Sequence, residues 1–300
     1  MDHSKLTAVE DSTTPRPSLD LTVAVTCFNE EEYIHTTLDN LVGALLDGDL
    51  QWEIVVLDDA SKDRSVAVVE EYIRQHPDLA ISLWVNEINQ GFGYNYVQGA
   101  FVGRGEFYRV VCGDDCESKD TLSAIFSALG TADLIIPYAE GDDGRTWLRR
   151  RLSGLYTTLV NLLSGHRVRY YNGMILVRRF HVMRWHGNYR GFGLQADLLA
   201  RLLDEGLTYR EVGVRKRERK HRKSTALRLK NVLSVLHTFV DIAVRRVGHF
   251  LYPADARRNR RMLCRWSPAP TDHVTWVESA MGRAQMSLAP RPVDAEATAK

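Results

Sequence analysis

Short apolar runs alternate with amphipathic segments through the first half of the chain. Four β-branched, nearly continuous runs predict strands buried on both faces: Leu21–Cys27, Glu53–Asp58, Ile81–Val85 and Phe107–Cys112. One helix is predicted to follow Asn29 as its N-cap, and a second follows 61–63 and repeats Val66, Val69 and Ile73. This alternation predicts βαβ units in an α/β fold whose central sheet is mostly parallel.

The second half continues this pattern less regularly. Strands are predicted over 133–137, 174–178 and 209–214, and helices over 147–163, 194–203 and 225–247. The last helix carries apolar residues at helical spacing with Arg and Lys around them. Such a helix either lies on an anionic membrane or packs on the domain as ordinary core, and the sequence leaves both open.

The chain divides into four predicted parts. They are a flexible arm over 1–19, an α/β domain over 20–216, a basic loop and amphipathic helix over 217–250, and a weakly ordered tail over 251–300. The composition, 44% hydrophobic and 26% charged, suits one sizeable domain. Because no run approaches about 20 apolar residues and no secretory signal is evident, we expect a cytoplasmic protein. Peripheral contact with the cytoplasmic face of a membrane stays open.

Charge is distributed unevenly along the chain. Residues 215–230 hold nine Lys or Arg and one acid, Glu218, a local charge of +8, whereas the whole chain carries +1 and the remainder −7. This asymmetry argues against a protein that coats nucleic acid. It indicates one basic patch, which either meets phosphates on a ligand, a lipid surface or RNA, or is a solvated loop.

The four cysteines are scattered along the chain, at Cys27, Cys112, Cys116 and Cys264. They do not frame a disulfide scaffold. Cys112 and Cys116 are either half of a metal site or buried reduced thiols, and the absence of a second Cys or His pair at a suitable spacing favours thiols.

Polar turns follow three of the predicted strands. They contain Asn29 and Glu30, Asp58 and Asp59, and Asp114 and Asp115. The carboxyl ends of parallel strands meet at one sheet edge, where open α/β sheets bind ligands. Clustered carboxylates repel one another unless a cation or hydrogen-bond donors are present. Asp114 and Asp115 are therefore candidate ligands for a cation that holds a diphosphate, although such a pair also simply caps a following helix.

In combination, these motifs resemble those of the family 2 inverting glycosyltransferases. That family has a GT-A-type, Rossmann-like nucleotide-sugar-binding fold of three layers, and the resemblance covers roughly 21–225. Val25–Glu31 is similar to the family's opening strand and turn, Leu57–Asp63 to its second acidic turn, Asn89–Gly93 to its Gly-rich turn, and Cys112–Asp115 to its metal-binding Asp-X-Asp.

The resemblance implies site residues. The implied nucleotide site contains Thr26, Phe28, Glu30, Asp58, Asp59 and Gly91. The carboxylates of Asp58 and Asp59 would accept hydrogen bonds from a nucleobase imide N–H and from ribose hydroxyls. It also implies Mg²⁺ or Mn²⁺ on Asp114 as a Lewis acid for the diphosphate leaving group. The chain departs from the family at Thr26, where Pro is usual, and at Cys112, which replaces the first Asp of the metal motif. Asp115 is a candidate substitute ligand.

Later segments are similar to the branch that transfers a sugar to a polyprenyl phosphate such as dolichyl phosphate. They are Tyr171–Arg179, Gly191–Leu199, Glu211–Val214 and Arg219–Thr225. This branch implies a basic loop on the phosphates, here Arg219, Arg222 and Lys223, followed by an amphipathic segment at the membrane. Arg222 and Thr225 replace a Gly and a Lys that are usual in that loop.

Asp197 matches an acid that the family places near the acceptor. It would act as general base for a hydroxyl nucleophile, whereas a phosphate nucleophile is already ionised and needs no strong base. An acid in the first turns of a helix is alternatively explained by the helix dipole.

Three functions stay open at this point. The first is a metal-dependent inverting glycosyltransferase that uses a nucleotide-sugar donor and a polyprenyl phosphate at the membrane surface. The second keeps the donor chemistry with a soluble or glycan acceptor. The third is a catalytically silent module that contacts a partner or nucleic acid through its basic part, although that part lacks the interleaved aromatics of a single-strand binding platform.

Overall fold

A computed structural model describes residues 19–141, 147–185, 193–215 and 229–251. Within them, seven strands form one sheet: β1 (Leu21–Cys27), β2 (Trp52–Asp58), β3 (Ile81–Val85), β4 (Phe107–Cys112), β5 (Leu134–Ala139), β6 (Leu176–Arg178) and β7 (Tyr209–Val214). Their spatial order is β3-β2-β1-β4-β6-β5-β7. Only β6 runs antiparallel to its neighbours, β4 and β5. The predicted mostly parallel sheet is confirmed.

Helices cover both faces of this sheet. They are α1 (Ile34–Leu46), α2 (Ser65–Gln75), α3 (Phe92–Val102), α4 (Lys119–Phe126), α5 (Trp147–Ser164), α6 (Arg179–Met183), α7 (Leu194–Asp204) and α8 (Leu229–Leu251). One face buries residues such as Val25 and Ile54 under α1, α2 and α4. The other buries Leu57 and Tyr108 under α3 and the later helices. This arrangement confirms the predicted three-layer α/β fold.

The central strands are mostly apolar because both of their faces are covered. Every residue of β1 except Thr26 is buried, whereas the edge strand β3 leaves Trp84 and Val85 exposed. Helix α3 approaches the sheet closely at Gly99, where a Cβ would lie 2.5 Å from Tyr108 Oη. A side chain at this position would push α3 away from the sheet.

One local prediction was wrong, and one predicted strand is shorter than expected. Helix α1 begins at Ile34 with Tyr33 as its N-cap, because Asn29 adopts a left-handed φ of 55° and bonds to the next turn of the sheet edge instead. The strand predicted over 174–178 is limited to Leu176–Arg178. It is antiparallel and lies between β4 and β5, a position that a simple run of βαβ units does not provide.

Helix α8 packs against α5 and α7. Ile242 is buried in the core, and the ring of Phe239 lies 5.6 Å from that of Tyr156 on α5. The predicted amphipathic helix therefore contacts the domain along one side. No helix in the part of the chain that the structure describes combines the length and apolarity that crossing a bilayer requires.

Candidate active site

The carboxyl ends of β1, β2 and β4 lie side by side at one edge of the sheet. Cys27 is in register with Asp58, and Thr26 is in register with Cys112. The three polar turns that follow these strands therefore meet, as the alternating pattern predicts. Strands β5 and β7 run in the same direction as β4, so their ends extend this edge.

Hydrogen bonds join the first two turns. Asn29 donates its N–H to Ser61 Oγ (2.9 Å), and its Oδ1 accepts from the N–H of Lys62 (2.8 Å). Glu30, itself buried, donates its N–H to Ser65 Oγ (2.8 Å). Asn tolerates the left-handed conformation at position 29 better than most residues do. The two turns thus form one rigid wall of the site.

Asp58, at the end of β2, is buried and only partly satisfied. Its Oδ2 accepts from the N–H of Ser61 (2.9 Å), whereas its Oδ1 has no hydrogen-bond partner among the described residues. A buried polar atom without a partner costs about 1–3 kcal/mol. A ligand N–H or hydroxyl would remove that cost, so Asp58 is the candidate acceptor for a nucleobase imide.

Asp59 organises the Gly-rich turn. Its Oδ1 accepts from Asn86 Nδ2 (3.0 Å) and the N–H of Gln90 (2.8 Å), and its Oδ2 accepts from the N–H of Gly91 (2.8 Å). Gly91 has a φ of 87°, which favours glycine, and directly precedes α3. Both oxygens of Asp59 already accept hydrogen bonds from the protein. The geometry therefore gives Asp59 a role in shaping the site.

The structure brings all the predicted nucleotide residues to this edge, namely Thr26, Phe28, Glu30, Asp58, Asp59 and Gly91. Thr26 is half-buried, and its carbonyl accepts from the N–H of Gly113 (2.8 Å). Phe28, Ile88 and Phe92 are exposed beside these turns. Apolar side chains around a few placed acceptors are typical of ligand pockets.

Asp114 and Asp115 share the turn after β4 but have different contacts. Asp115, at a φ of 52°, donates its N–H to Thr37 Oγ1 (2.9 Å), and its Oδ1 accepts from Asn40 Nδ2 (2.8 Å). These bonds fasten Asp115 to α1. Asp114 instead accepts a hydrogen bond from the thiol of Cys116.

The fit to a divalent cation rests on Asp114. Within the described residues, no group of three or more His, Cys, Asp or Glu side chains is arranged to hold a metal ion. Mg²⁺ in phosphate-transfer sites is commonly held by one or two carboxylates, with substrate phosphates and water completing its shell. The residues present fit that kind of site, with Asp114 as its first candidate ligand.

The cysteines of this region are free thiols. These are Cys27, Cys112 and Cys116, whereas Cys264 lies outside the described residues. Burial raises the pKa of Cys27 to about 12 and raises that of Cys116 well above its usual range. A cysteine must lose its proton to bind a metal, so the interpretation as reduced thiols is favoured over half of a metal site.

Asp197 lies in the first turn of α7, within a buried ion-pair cluster. Its Oδ1 accepts from Arg245 Nη1 (2.8 Å), and its Oδ2 accepts from Arg201 Nε (2.9 Å) and Trp185 Nε1 (3.1 Å). These contacts fasten α7 to α8 and occupy both carboxylate oxygens. They give Asp197 a structural role, and its catalytic role stays a prediction.

Arg219, Arg222 and Lys223, predicted to contact phosphate, lie outside the described residues. The last described residue before them is Arg215, which directly follows β7. Its carbonyl accepts from Thr121 Oγ1 (2.8 Å), in the first turn of α4. The chain therefore enters its basic segment in contact with α4, the helix that follows the Asp114 turn.

Two features of the site were missed by the sequence reasoning. Asn86 donates to both Asp59 and Asn95 Oδ1, and its signal was a polar residue directly after β3. Arg109 is fully buried in β4 and pairs with Glu117. Its signal was a charged residue inside an apolar run.

A family model described as glycosyl transferase family 2 matches residues 22–185, more than half of the chain. The matched range contains all the polar turns described above. Asp197 and the basic segment lie beyond it.

Two curated relatives carry the name of a polyprenyl phosphate. The dodecaprenyl-phosphate galacturonate synthase of Rhizobium johnstonii is 21% identical over 174 residues, which cover 57% of this chain and 51% of that protein. A dolichyl-phosphate beta-glucosyltransferase of Trichomonas vaginalis is 30% identical over 167 residues, which cover 51% of this chain and 50% of that protein. The chain thus spans about half the length of these curated relatives.

A solved structure shares the fold. Glucosyl-3-phosphoglycerate synthase from Mycobacterium tuberculosis, in complex with Mn²⁺, UDP and phosphoglyceric acid, superposes with a TM-score of 0.58 at 17% identity. The superposition covers 75% of this chain and 78% of that one. The predicted GT-A-type fold is confirmed. With the family match over the motif-bearing residues, these findings show that the chain belongs to glycosyl transferase family 2.

Proposed function

We propose that this protein transfers a sugar, with inversion, from a nucleotide diphosphate sugar to a polyprenyl phosphate at a membrane surface. The observation that carries the proposal is the meeting of Asp58, the Gly-rich turn and Asp114 at one sheet edge. Asp58, at the end of β2, offers a nucleobase a hydrogen-bond acceptor that has no partner among the described residues. Asp114 offers a hard oxygen ligand just after the end of β4, two strands away from β2.

The donor is bound by the first three turns. Asp58 Oδ1 accepts from the nucleobase imide, while Asp59 holds the backbone of Gln90 and Gly91 in place. The exposed ring of Phe28 provides an apolar surface beside them. Glu30 lies in the first turn, beside the ribose. The hydrogen bond from its N–H to Ser65 Oγ fixes the backbone there.

The transfer step needs little from a protein base. An oxygen of the acceptor phosphate attacks the anomeric carbon opposite the diphosphate, and the bond from that carbon to the diphosphate oxygen breaks with its electron pair leaving on the nucleoside diphosphate. Mg²⁺ or Mn²⁺ on Asp114 supplies Lewis-acid stabilisation of this leaving group when bound. Because a phosphate nucleophile is already ionised, the engagement of Asp197 with Arg201 and Arg245 is compatible with this acceptor.

The basic segment supports a phosphate-bearing acceptor. Residues 215–230 carry a charge of +8, and the first of them, Arg215, contacts α4, the helix that follows the Asp114 turn. We assign Arg219, Arg222 and Lys223 to the acceptor phosphate on the strength of charge and chain position. The names of the two curated relatives point to the same acceptor class.

An apolar stripe on α8 supports contact with lipid. Its members are each more than half exposed and follow helical spacing: Leu233, Leu236, Val240, Val244, Val247 and Leu251. On the adjoining helix α5, Leu155 and Leu162 are exposed as well. An exposed apolar stripe that follows a strongly basic segment is typical of a helix lying in the interface of an anionic membrane.

Transfer of label tests the proposed activity. Purified protein is incubated with polyprenyl phosphate, Mn²⁺ and a panel of labelled nucleotide sugars, and the organic-extractable lipid is counted, with Asp114→Ala alongside. Label that enters lipid and is lost in the variant supports the proposal. Donor consumption without label in lipid indicates a soluble or glycan acceptor, and a panel left untouched overturns the transferase proposal in favour of a silent module.

Liposome flotation tests the membrane contact separately. We expect the protein to float with anionic vesicles, and a variant combining Leu236→Asn with Val240→Asn to float less. Leu46→Asn, at an equally exposed leucine at the end of α1, is the matched control and should float like the unmodified protein. Equal flotation of all three proteins would contradict contact through α8.

A further inference from the structure

A fully buried ion pair joins β4 to the residue that follows the turn of the candidate cation site. Arg109, in the middle of β4, has no exposed side-chain surface, and its Nη2 lies 2.7 Å and 2.9 Å from the two carboxylate oxygens of Glu117. Glu117 is also buried and follows the turn that carries Asp114 and Asp115. The pair therefore brackets that turn, with one partner before it and one after it.

This pair is a costly way to stabilise a core. Arg109 Nε and Nη1 have no hydrogen-bond acceptor within the described part of the chain. Replacing a buried ion pair with apolar residues of similar volume is often neutral or stabilising, because burying two charges costs about as much as their attraction returns. What the pair does supply is a fixed separation between β4 and the residue that ends the turn.

Hydrogen bonds and close packing hold the rest of the turn. The N–H of Gly113 donates to the carbonyl of Thr26 (2.8 Å), and the N–H of Asp115 donates to Thr37 Oγ1 (2.9 Å). A Cβ at Gly113 would lie 3.0 Å from Ile34 Cδ1, so the turn is also packed tightly against α1. Asp114 lies between these two anchored residues, so its backbone has little conformational freedom.

We infer that Arg109 and Glu117 are positioning residues that hold the carboxylate of Asp114 where it meets a cation and a diphosphate. This inference rests on the proposed role of Asp114 in donor binding. It adds that Asp114, in a motif whose first position is Cys112, depends on a preorganised turn to meet the cation. Groups that orient a metal ligand commonly change metal affinity by about 10- to 100-fold when they are removed.

The test removes both charges together. The double variant Arg109→Met, Glu117→Met avoids leaving a lone buried charge, so it should unfold at a temperature close to that of the unmodified protein. We expect its affinity for UDP or GDP in the presence of Mn²⁺, measured by calorimetry, to fall about tenfold or more. The double variant should need a higher Mn²⁺ concentration to bind the nucleoside diphosphate. Its affinity for the nucleosides uridine or guanosine should stay unchanged.

A second ion pair with a buried carboxylate provides the control. Glu53, at the start of β2, is buried and pairs at 2.9 Å with Arg104, whose side chain is 57% exposed. The double variant Arg104→Met, Glu53→Met should keep native Mn²⁺-dependent nucleotide affinity. If the Arg109 and Glu117 variant binds as tightly as this control, the positioning inference fails while the proposed function stands. If the unmodified protein binds neither nucleoside diphosphate with Mn²⁺, both fail together.

Discussion

The carboxylate of Asp59 accepts a hydrogen bond of 2.8 Å from the backbone N–H of Gly91, 32 residues further along the chain. With the bonds from Gln90 and Asn86, this contact holds the Gly-rich turn against the end of β2. The adjacent carboxylate of Asp58 keeps one oxygen without a hydrogen-bond partner among the described residues. Of these two neighbouring acids, Asp59 thus shapes the site, and Asp58 is the one that we propose for ligand binding.

Replacing Asp59 should cost stability. In Asp59→Asn an amide nitrogen takes the place of one oxygen and faces backbone N–H donors. We expect the free energy of unfolding to fall by about 1–3 kcal/mol, as for a buried group left without its partner. Urea denaturation measures the change, and Asp49→Asn, at an exposed acid, should leave the midpoint unchanged. Equal midpoints for all three proteins would show that the turn does not depend on Asp59.

Replacing Asp58 should mainly weaken nucleotide binding. Asp58→Asn keeps the shape of the side chain but loses the charged acceptor that we assign to the nucleobase. A hydrogen bond to a charged group contributes about 1.5–3 kcal/mol, so we expect the dissociation constant for UDP or GDP to rise at least about tenfold. Calorimetry gives this value directly. An unchanged dissociation constant would remove Asp58 from the nucleotide site.

Replacing Asp197 should separate its structural role from its predicted catalytic one. Asp197→Asn leaves Arg245 and Arg201 without their shared carboxylate, and breaking a buried pair costs about 3–5 kcal/mol. We expect this loss in denaturant unfolding, with transfer to polyprenyl phosphate by the folded fraction retained. A stable variant whose kcat falls by orders of magnitude, with an altered pH profile, would instead identify Asp197 as a base.

Stability should fall in mildly acidic solution because of His181. Burial, with a contribution from the nearby Arg184, lowers the pKa of His181 from 6.5 to about 4. Between these pH values the unfolded chain binds a proton that the folded chain does not. The contribution of His181 to the free energy of unfolding is therefore fully present above pH 6.5 and is lost as the pH falls toward 4. We expect a loss of about 2 kcal/mol over this range. Unfolding measured from pH 7.5 to 4.5 should show a weaker pH dependence in His181→Leu than in the unmodified protein.

The strands and the meeting of their ends were predictable because they follow from local pattern. Buried β-branched runs identify β1, β2 and β4, and parallel strands must place Asp58 and Asp114 at the same edge. The motif resemblance then supplied the residue types expected there. None of this depends on knowing which side chains touch.

The division of roles was not predictable for the opposite reason. Asp58 and Asp59 have the same chemistry, and only the three-dimensional path of Asn86 and Gln90 decides which of them is occupied. Asp197 meets Arg245 across 48 residues of chain, a distance at which sequence spacing carries no information. The antiparallel insertion of β6 likewise depends on long-range pairing rather than on periodicity.

Arg245 bridges two acids on one side of α7, bonding Asp197 through Nη1 (2.8 Å) and Asp204 through Nε (3.1 Å). Two attachment points about two helical turns apart prevent α8 from sliding or rotating against α7 without breaking both. If α8 lies on lipid, as we propose, the tilt of the whole domain and the height of its open sheet edge above the headgroups would be fixed during folding. Arg245 would then help to set how far a lipid phosphate must rise to reach the donor.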